Sequence, residues 1–329
     1  MKAIEANNLT KAFGHLVAVD HISFEVGQGE IFGFLGVNGS GKTTTMMMLA
    51  TALNPSSGTA TVWGYDIVRQ RNKVRESIGV IFQRPSLDVN LTGRENLDFH
   101  ARLYHLNKET REGRISRALR LVGLEDRQNT LAKHYSGGMQ RKLEIARGML
   151  NYPKVLFLDE PTLGLDVQTR RLLWDYVSRL NKDFGTTILL NTHYIEEADH
   201  LCDTVAIVEG GRIIALDTPQ SLRDSVSDSL LSIRLSHGSN GELVRLLGGI
   251  SWMKAINKHE DWVELRVQDG AAKIPEIVRL AEKNDFIISS ISERKPTLED
   301  AFLRYTGRAM REDEAYVEES KQTATDRRK

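Results

Sequence analysis

Short apolar runs alternate with longer segments of helical periodicity over roughly the first 220 residues of the chain. The clearest runs span residues 31–35, 78–82, 155–158, 187–190 and 205–208. Because these runs are continuously apolar rather than alternating, each predicts a strand with both faces covered. Strands that alternate with helices indicate a largely parallel sheet, so we expect an α/β fold.

The stretch between 88 and 135 lacks any strand-like run. It opens on Thr92 and Glu95, whose spacing matches a capping box, in which the two side chains bind free amides at the start of a helix. This pattern predicts a helical insertion at about 88–150 in the sheet domain.

The pattern changes after Pro219. Strands are predicted at 230–235, 250–257, 262–267 and 286–292, and helices at 242–247 and 274–283. The order β-α-β-β-α-β is typical of a small ferredoxin-like α+β domain. We therefore predict a first domain at 1–222, an accessory domain at 228–307, and a charged tail at 308–329 that we expect to be disordered.

Charge and cysteine content narrow the class of protein. Lys plus Arg and Asp plus Glu each number 44, so the formal net charge is zero. This balance argues against a nucleic-acid binder, which usually carries a basic excess or stripe. The single cysteine excludes an internal disulfide and favours a reducing cytoplasm. With no secretory signal and no run of about 18 apolar residues, we expect a soluble cytosolic protein.

One glycine-rich segment carries a phosphate-binding pattern. It reads Gly36-Val37-Asn38-Gly39-Ser40-Gly41-Lys42-Thr43-Thr44 and fits the Walker A spacing between a predicted strand and a predicted helix. Glycines let backbone N–H groups and the helix N-terminus face phosphate oxygens. Lys42 would reach the β- and γ-phosphates, and the Thr43 hydroxyl would bind Mg²⁺. This loop alone does not separate a kinase, a GTPase and a transport ATPase.

Two carboxylates, Asp159 and Glu160, end the predicted strand at 155–158. Ligands of open α/β sheets collect at the carboxyl ends of strands. Asp159 fits the Walker B role of holding Mg²⁺, and Glu160 is placed to orient or deprotonate an attacking water.

A third segment, Tyr135-Ser136-Gly137-Gly138-Met139-Gln140, resembles the signature motif of ATP-binding cassette (ABC) proteins. Ser136 can cap the helix that follows, and Gly137 and Gly138 leave its N-terminus open to a phosphate. The motif departs from the commonest form at Tyr135 and Met139. The resemblance, which spans residue 5 to about 222, implies a P-loop NTPase cassette with ATP and Mg²⁺ as cofactors.

Other positions match the family in the expected order. The resemblance implies that Phe13 stacks on adenine and that Gln83 binds Mg²⁺ and senses the attacking water. It also implies that Asp166, in Gly164-Leu165-Asp166, belongs to a loop at a dimer interface, and that His193 contacts the γ-phosphate. Glu160, His193 and Gln83 are then the expected catalytic residues.

Two segments, one near the end of the cassette and one in the C-terminal domain, resemble the ATPases of daunorubicin-resistance and multidrug exporters. These segments are residues 191–198 and residues 295–302. The resemblance implies an ATP-hydrolysing subunit that powers export through a separate membrane permease, bound to the cytoplasmic face of the cell membrane. It further implies a head-to-tail homodimer, in which Ser136, Gly137 and Gly138 act on the ATP of the partner.

Two other functions remain open at this point. A soluble ABC ATPase could act on ribosomes or nucleic acid, although such proteins usually carry two cassettes or a long coiled coil between the phosphate loop and the signature. Alternatively, the domain after Pro219 could carry the function while the cassette regulates it.

Overall fold

The computed structural model describes residues 1–83, 86–226 and 228–307. The predicted charged tail, 308–329, lies outside the described residues. The chain divides into two compact units, Met1–Pro219 and a second unit that begins at Gln220. The first unit contains two sheets and the second contains one, and each unit has its own core.

The first unit combines strands and helices in alternation. Its strands are β1 (Lys2–Phe13), β2 (Leu16–Gly27), β3 (Ile31–Leu35), β4 (Ser57–Val62), β5 (Tyr65–Asp66), β6 (Ile78–Ile81), β7 (Val155–Asp159), β8 (Thr187–Thr192), β9 (Thr204–Glu209) and β10 (Arg212–Asp217). Its helices are α1 (Lys42–Leu49), α2 (Arg71–Ser77), α3 (Gly93–Leu103), α4 (Lys108–Val122), α5 (Gly137–Gly148), α6 (Val167–Phe184) and α7 (Ile195–Leu201).

The central sheet has the strand order β10-β9-β3-β8-β7-β6. Its strands pair in parallel from β9 to β6, and only the edge strand β10 is antiparallel within this sheet. The five predicted apolar runs correspond to β3, β6, β7, β8 and β9, so the α/β prediction is confirmed. Successive residues of β3, β7 and β8 are all buried, so both faces of these strands are covered, which explains their continuous apolarity.

A second sheet of the first unit, in the order β2-β1-β4-β5, is antiparallel and was not predicted. Its strands have one exposed side, and the pairing of β1 with β2 contains several register shifts. Register shifts interrupt the strict alternation of apolar and polar positions. The sequence pattern of these strands is consequently weak.

One core cluster joins the two sheets of the first unit through α1. Phe24, Phe32 and Phe34 pack with ring centroids 5.0 to 5.3 Å apart. Met46 and Met48 of α1 are fully buried in the same cluster. Each such buried side chain contributes about 1.5–3 kcal/mol. This core anchors the start of α1, which follows the phosphate-binding pattern.

The segment predicted as a helical insertion contains α3, α4 and α5. Thr92 caps α3: its hydroxyl accepts from the Glu95 amide at 3.2 Å, and the Glu95 carboxylate accepts from the Thr92 amide at 2.8 Å. The predicted capping box is therefore present. Ser136 caps α5 through a 3.3 Å hydrogen bond from the amide of Met139.

The second unit begins within α8 (Pro219–Ser225), and the elements after this helix have the predicted β-α-β-β-α-β order. Its elements are β11 (Asp228–His237), α9 (Asn240–Gly248), β12 (Met253–Lys258), β13 (Val263–Gln268), α10 (Gly270–Lys283), β14 (Ile287–Arg294) and α11 (Leu298–Thr306). The sheet order β12-β13-β11-β14, with antiparallel pairs throughout, is the ferredoxin-like arrangement. The final helix α11 was not predicted.

Candidate functional site

The parallel sheet brings four functional segments to one edge. Because β3, β8, β7 and β6 are neighbours and run in parallel, their carboxyl ends meet at that edge. The phosphate-binding segment follows β3, His193 follows β8, Asp159 and Glu160 end β7, and Gln83 follows β6. Strand order alone thus gathers residues that are far apart in the sequence.

The loop between β3 and α1 has room only for glycine at two positions. A Cβ on Gly36 would lie 2.4 Å from the carbonyl oxygen of Val208, and one on Gly41 would lie 2.5 Å from that of Ala18. Gly41 also has a φ of 103°, which a side chain rarely permits. Gly39 also has a left-handed backbone, with a φ of 80°. This backbone turns tightly into α1, whose first turn contains Lys42, Thr43 and Thr44.

The loop also offers polar groups for a phosphate. The Ser40 hydroxyl is buried and has no hydrogen-bond partner among the described residues. A buried polar atom without a partner costs free energy, which a bound acceptor removes. Asn38 and Gly39 precede it at the exposed tip of the loop. The loop therefore fits a bound phosphate chain.

The Lys42 side chain is 5% exposed, and its ammonium group lies between the glycine-rich loop and Glu160. It donates to the carbonyl oxygens of Gly36 at 2.7 Å and Val37 at 3.0 Å, and lies 3.9 Å from Glu160 Oε1. Burial lowers the pKa of Lys42, while the carboxylates of Glu160 and Asp159 oppose that shift. A cation held in this way is ready to pair with phosphate oxygens.

Thr43 and Asp159 present the oxygens expected of a magnesium site. The Thr43 hydroxyl donates to the Asp159 carboxylate at 3.0 Å, and Asn191 Nδ2 donates to the same carboxylate at 3.0 Å. Burial raises the pKa of Asp159, and these two hydrogen bonds oppose the rise. Mg²⁺ prefers hard oxygen ligands and completes its shell with phosphates and water, so these residues fit it.

Glu160 and His193 form the polar pair beside this carboxylate. His193 Nδ1 lies 2.5 Å from Glu160 Oε2, and both side chains are largely buried. Glu160 has a left-handed backbone, with a φ of 49°. Its amide donates to the carbonyl of Asn191 at 2.9 Å. The pair can orient a water and hold a proton at the Glu160 carboxylate.

Phe13 and Gln83 lie at more exposed positions. Phe13 ends β1 with about half of its surface exposed, and the Lys11 ammonium lies 5.0 Å from its ring centroid. An exposed ring of this kind is free to stack on a base. Gln83 is exposed directly after β6, and its side chain makes no hydrogen bond within the described parts of the chain. Among the described residues, the hydrogen bonds to the Asp159 carboxylate come from Thr43 and Asn191 and not from Gln83.

The signature residues occupy the N-terminus of α5. Ser136 and Gly137 are exposed, whereas Gly138 packs against α6. A Cβ on Gly138 would lie 2.5 Å from Thr169 Cγ2, but one on Gly137 would lie 3.7 Å from its nearest neighbour. Asp166 caps α6, accepting from the Thr169 amide at 2.9 Å and hydroxyl at 2.6 Å.

These bonds from Thr169 lower the pKa of Asp166. Thr169 therefore lies against Gly138 and is hydrogen-bonded to Asp166. In this way it links the two predicted interface segments. This contact gives Gly138 a packing role besides the openness that the sequence indicated.

Sequence reasoning missed two residues of the site. Asn191 orients Asp159, and Arg141 of α5 binds the backbone around Glu160. The signal in both cases was a polar residue inside an apolar element: Asn191 closes a buried strand, and Arg141 begins a run of buried charges on α5.

No helix among the described residues is long and apolar enough to cross a bilayer.

Comparisons with known proteins agree with this geometry. The family model described as "ABC transporter" matches residues 19–163. Daunorubicin resistance ATP-binding protein DrrA2 of Streptomyces coeruleorubidus is 36% identical over 317 residues, which cover 95% of this chain and 98% of that protein. Daunorubicin/doxorubicin resistance ATP-binding protein DrrA of Streptomyces peucetius is 38% identical over 309 residues, or 93% of each chain.

A solved structure gives the same fold. The dimeric ATP-binding cassette MJ0796, bound to ADP and Pi in a post-hydrolysis state, aligns with a TM-score of 0.59 and 25% identity. The alignment covers 65% of this chain and 98% of that one. The chain therefore belongs to the ABC transporter family and is an ATP-hydrolysing subunit of a transporter.

Proposed function

We propose that this subunit hydrolyses Mg²⁺-bound ATP to drive the export of drugs, antibiotics or other hydrophobic compounds through a separate membrane permease. The observation that carries the proposal is the similarity to two daunorubicin-resistance proteins along almost the whole chain, which includes the second unit. A cassette-only match would support ATP hydrolysis alone. Association with a permease would hold the subunit at the cytoplasmic face of the membrane.

The residues at the sheet edge have different roles in ATP hydrolysis. Phe13 stacks on the adenine ring, and the amides of the loop from Gly36 to Thr44 bind the phosphates together with Lys42. Thr43 and Asp159 would hold Mg²⁺, with Gln83 as the third proposed ligand, and the ion would supply positive charge that offsets the charge of the phosphates. Glu160 orients the attacking water and accepts its proton.

His193 holds the Glu160 carboxylate in place through the 2.5 Å contact and faces the γ-phosphate. The water oxygen bonds to the γ-phosphorus as the bond from that phosphorus to the bridging oxygen breaks, releasing ADP and phosphate. Support for these roles comes from the position of Glu160, whose carboxylate lies 3.9 Å from the Lys42 ammonium and 2.5 Å from His193 Nδ1.

Two copies of the chain complete each other's sites in this proposal. Ser136, Gly137 and Gly138 of one copy bind the ATP held by the other, and Asp166 lies at the same interface. Support comes from the exposed N-terminus of α5, whose amides and positive dipole end suit a phosphate. The dimeric form of MJ0796 is a precedent for such pairing.

The test starts from cells that express this chain in its native membrane. A tagged copy is captured with mild detergent, and an integral membrane protein that co-purifies is identified by sequencing. That protein and this chain are then reconstituted in vesicles, and uptake of daunorubicin into inside-out vesicles is measured with ATP. ATP-dependent uptake that requires both proteins supports the proposal. Co-purification with ribosomes or DNA and no membrane protein would overturn it.

A further inference from the structure

Arg141 lies three residues after Gly138 on α5 and is buried. Its guanidinium uses all of its N–H donors. Nε donates to the Pro161 carbonyl at 2.8 Å, Nη1 to the Phe82 carbonyl and to Glu144 Oε2 at 2.8 Å each, and Nη2 to the carbonyls of Asp159 at 2.9 Å and Glu160 at 3.1 Å. Arginine carries five donors in a fixed fork, so every one has a partner here.

Most of the groups that Arg141 binds are main-chain carbonyls rather than carboxylates. Three of them are consecutive main-chain carbonyls, at 159, 160 and 161, around the residue that orients the water. The middle residue of the three, Glu160, has a left-handed backbone, with a φ of 49°. Such a conformation costs free energy in a residue with a Cβ and persists only when its surroundings fix it. The guanidinium is the group that binds these carbonyls.

The remaining contacts extend to the segment that contains Gln83. Arg141 binds the carbonyl of Phe82, directly before Gln83, and Glu144 accepts from the Ser86 amide at 2.8 Å. Arg147 Nη1 donates to the Ser86 hydroxyl at 2.5 Å. Arg141, Glu144 and Arg147 are each three residues apart, so they share one face of α5. This face of α5 therefore binds residues before and after Gln83 in the sequence, and it also binds the backbone at the end of β7.

A simple core ion pair between Arg141 and Glu144 would not need this geometry. One of the five donors goes to the Glu144 carboxylate, and the other four go to carbonyls at the ends of β6 and β7. Lysine could replace the charge of such a pair, but not the planar fork that reaches four carbonyls. The contacts thus favour a role in fixing the backbone of the site.

We propose that Arg141 is a positioning residue for ATP hydrolysis, which holds the Glu160 carboxylate and the Gln83 segment in place from the helix that begins at the signature. This inference rests on the proposed role of Glu160 as the residue that orients the water. All five donors of Arg141 are already bound to acceptors of the chain itself, so none is left for a nucleotide. Its loss should therefore affect the chemical step and leave ATP binding intact.

The test compares R141K and R141Q with R114K, a matched control. Arg114 on α4 also donates to a main-chain carbonyl, that of Leu150 at 3.0 Å, but lies outside these contacts. We expect R141K and R141Q to lower kcat by about 10- to 100-fold, since small misplacements of catalytic groups cost this much. The equilibrium Kd for ATP should stay within about twofold of wild type, because the groups that bind the phosphates are unchanged. R114K should have the kcat and the Kd for ATP of the wild-type protein.

A double variant separates positioning from general destabilisation. If Arg141 acts through Glu160, R141K adds little to the loss already caused by E160Q, since effects of residues that act as a unit are not additive. A fully additive loss, an equal rise in the Kd for ATP, or a normal kcat in R141K would overturn the proposal. If E160Q itself hydrolyses ATP at the wild-type rate, the assigned role of Glu160 fails instead, whatever R141K does.

Discussion

His193 Nδ1 and Glu160 Oε2, which lie 2.5 Å apart, come from the ends of two neighbouring parallel strands, β8 and β7. Each residue limits the positions of the other, because the two side chains are largely buried and hydrogen-bonded to each other. The carboxylate therefore has a fixed direction before nucleotide arrives. Preorganised groups of this kind need little rearrangement in the transition state.

Replacing Glu160 by glutamine tests its part in the reaction. The amide has the size of the carboxylate but does not take up a proton, so we expect hydrolysis to fall by about 10²- to 10⁴-fold. ATP binding should persist, and sizing chromatography with ATP should show an accumulated dimer. E196Q, which changes an exposed carboxylate of α7, serves as the control and should behave as wild type. A monomeric E160Q in the presence of ATP would contradict the shared-site arrangement.

Thr43→Val tests the magnesium ligands. The substitution keeps the shape of the side chain and removes the hydroxyl that lies 3.0 Å from Asp159. We expect the affinity for ATP in excess chelator to be unchanged, and the gain in affinity on adding Mg²⁺ to fall about tenfold or more. Titration of labelled ATP with and without metal measures both quantities. Equal losses in the two conditions would show that the hydroxyl binds the nucleotide rather than the metal.

Gly138→Ala tests the contact between α5 and α6. The new methyl group would lie 2.5 Å from Thr169 Cγ2, so we expect a loss of about 1–3 kcal/mol in the free energy of unfolding. Thr169→Ser removes that methyl, keeps the hydroxyl bound to Asp166, and should restore most of the loss in the double variant. Denaturant unfolding measures each step.

Gly137→Ala is the control for this pair. The Cβ of G137A would lie 3.7 Å from its nearest neighbour, an ordinary van der Waals distance. We therefore expect the free energy of unfolding of G137A to match that of wild type. A G138A protein as stable as G137A would show that the threonine moves aside without cost.

His100 gives the stability of the chain a dependence on pH. Burial, together with the Arg147 guanidinium 3.4 Å away, lowers the pKa of His100 from 6.5 to about 4. The folded state then binds this proton less tightly than the unfolded state. The resulting stability is complete above about pH 6.5 and is lost as the pH falls towards 4.

We expect His100→Gln, which does not titrate, to show a shallower loss of stability across this interval. The difference in slope is at most about 1.4 kcal/mol per pH unit for one proton, and smaller where solvent reaches the ring. Denaturant unfolding at several pH values between 4.5 and 7 measures it. Parallel curves for the two proteins would contradict the prediction.

The sequence predicted the features that depend on interactions between residues close together in the chain. A continuous apolar run predicts a parallel strand, and the glycines around Lys42 predict a tight turn into a helix, because both depend on neighbouring residues. The position of Arg141 was different. Its partners come from segments near residues 82 and 160, and nothing in the chemistry of an arginine on a helix indicates which distant carbonyls it will bind. The packing of Gly138 on Thr169 was hidden for the same reason.

The strand order of the central sheet has a consequence for the synthesis of the chain. Ile31 of β3 pairs with Ile188 of β8, so the strand that leads into the phosphate loop lacks a neighbour until most of the cassette has been translated. Contacts this distant in sequence form late and slowly. A nascent chain that stops before β8 has the complete glycine loop and both Walker carboxylates, yet no His193 beside them. A nucleotide that binds the complete site therefore stabilises the assembled sheet relative to the shorter intermediates.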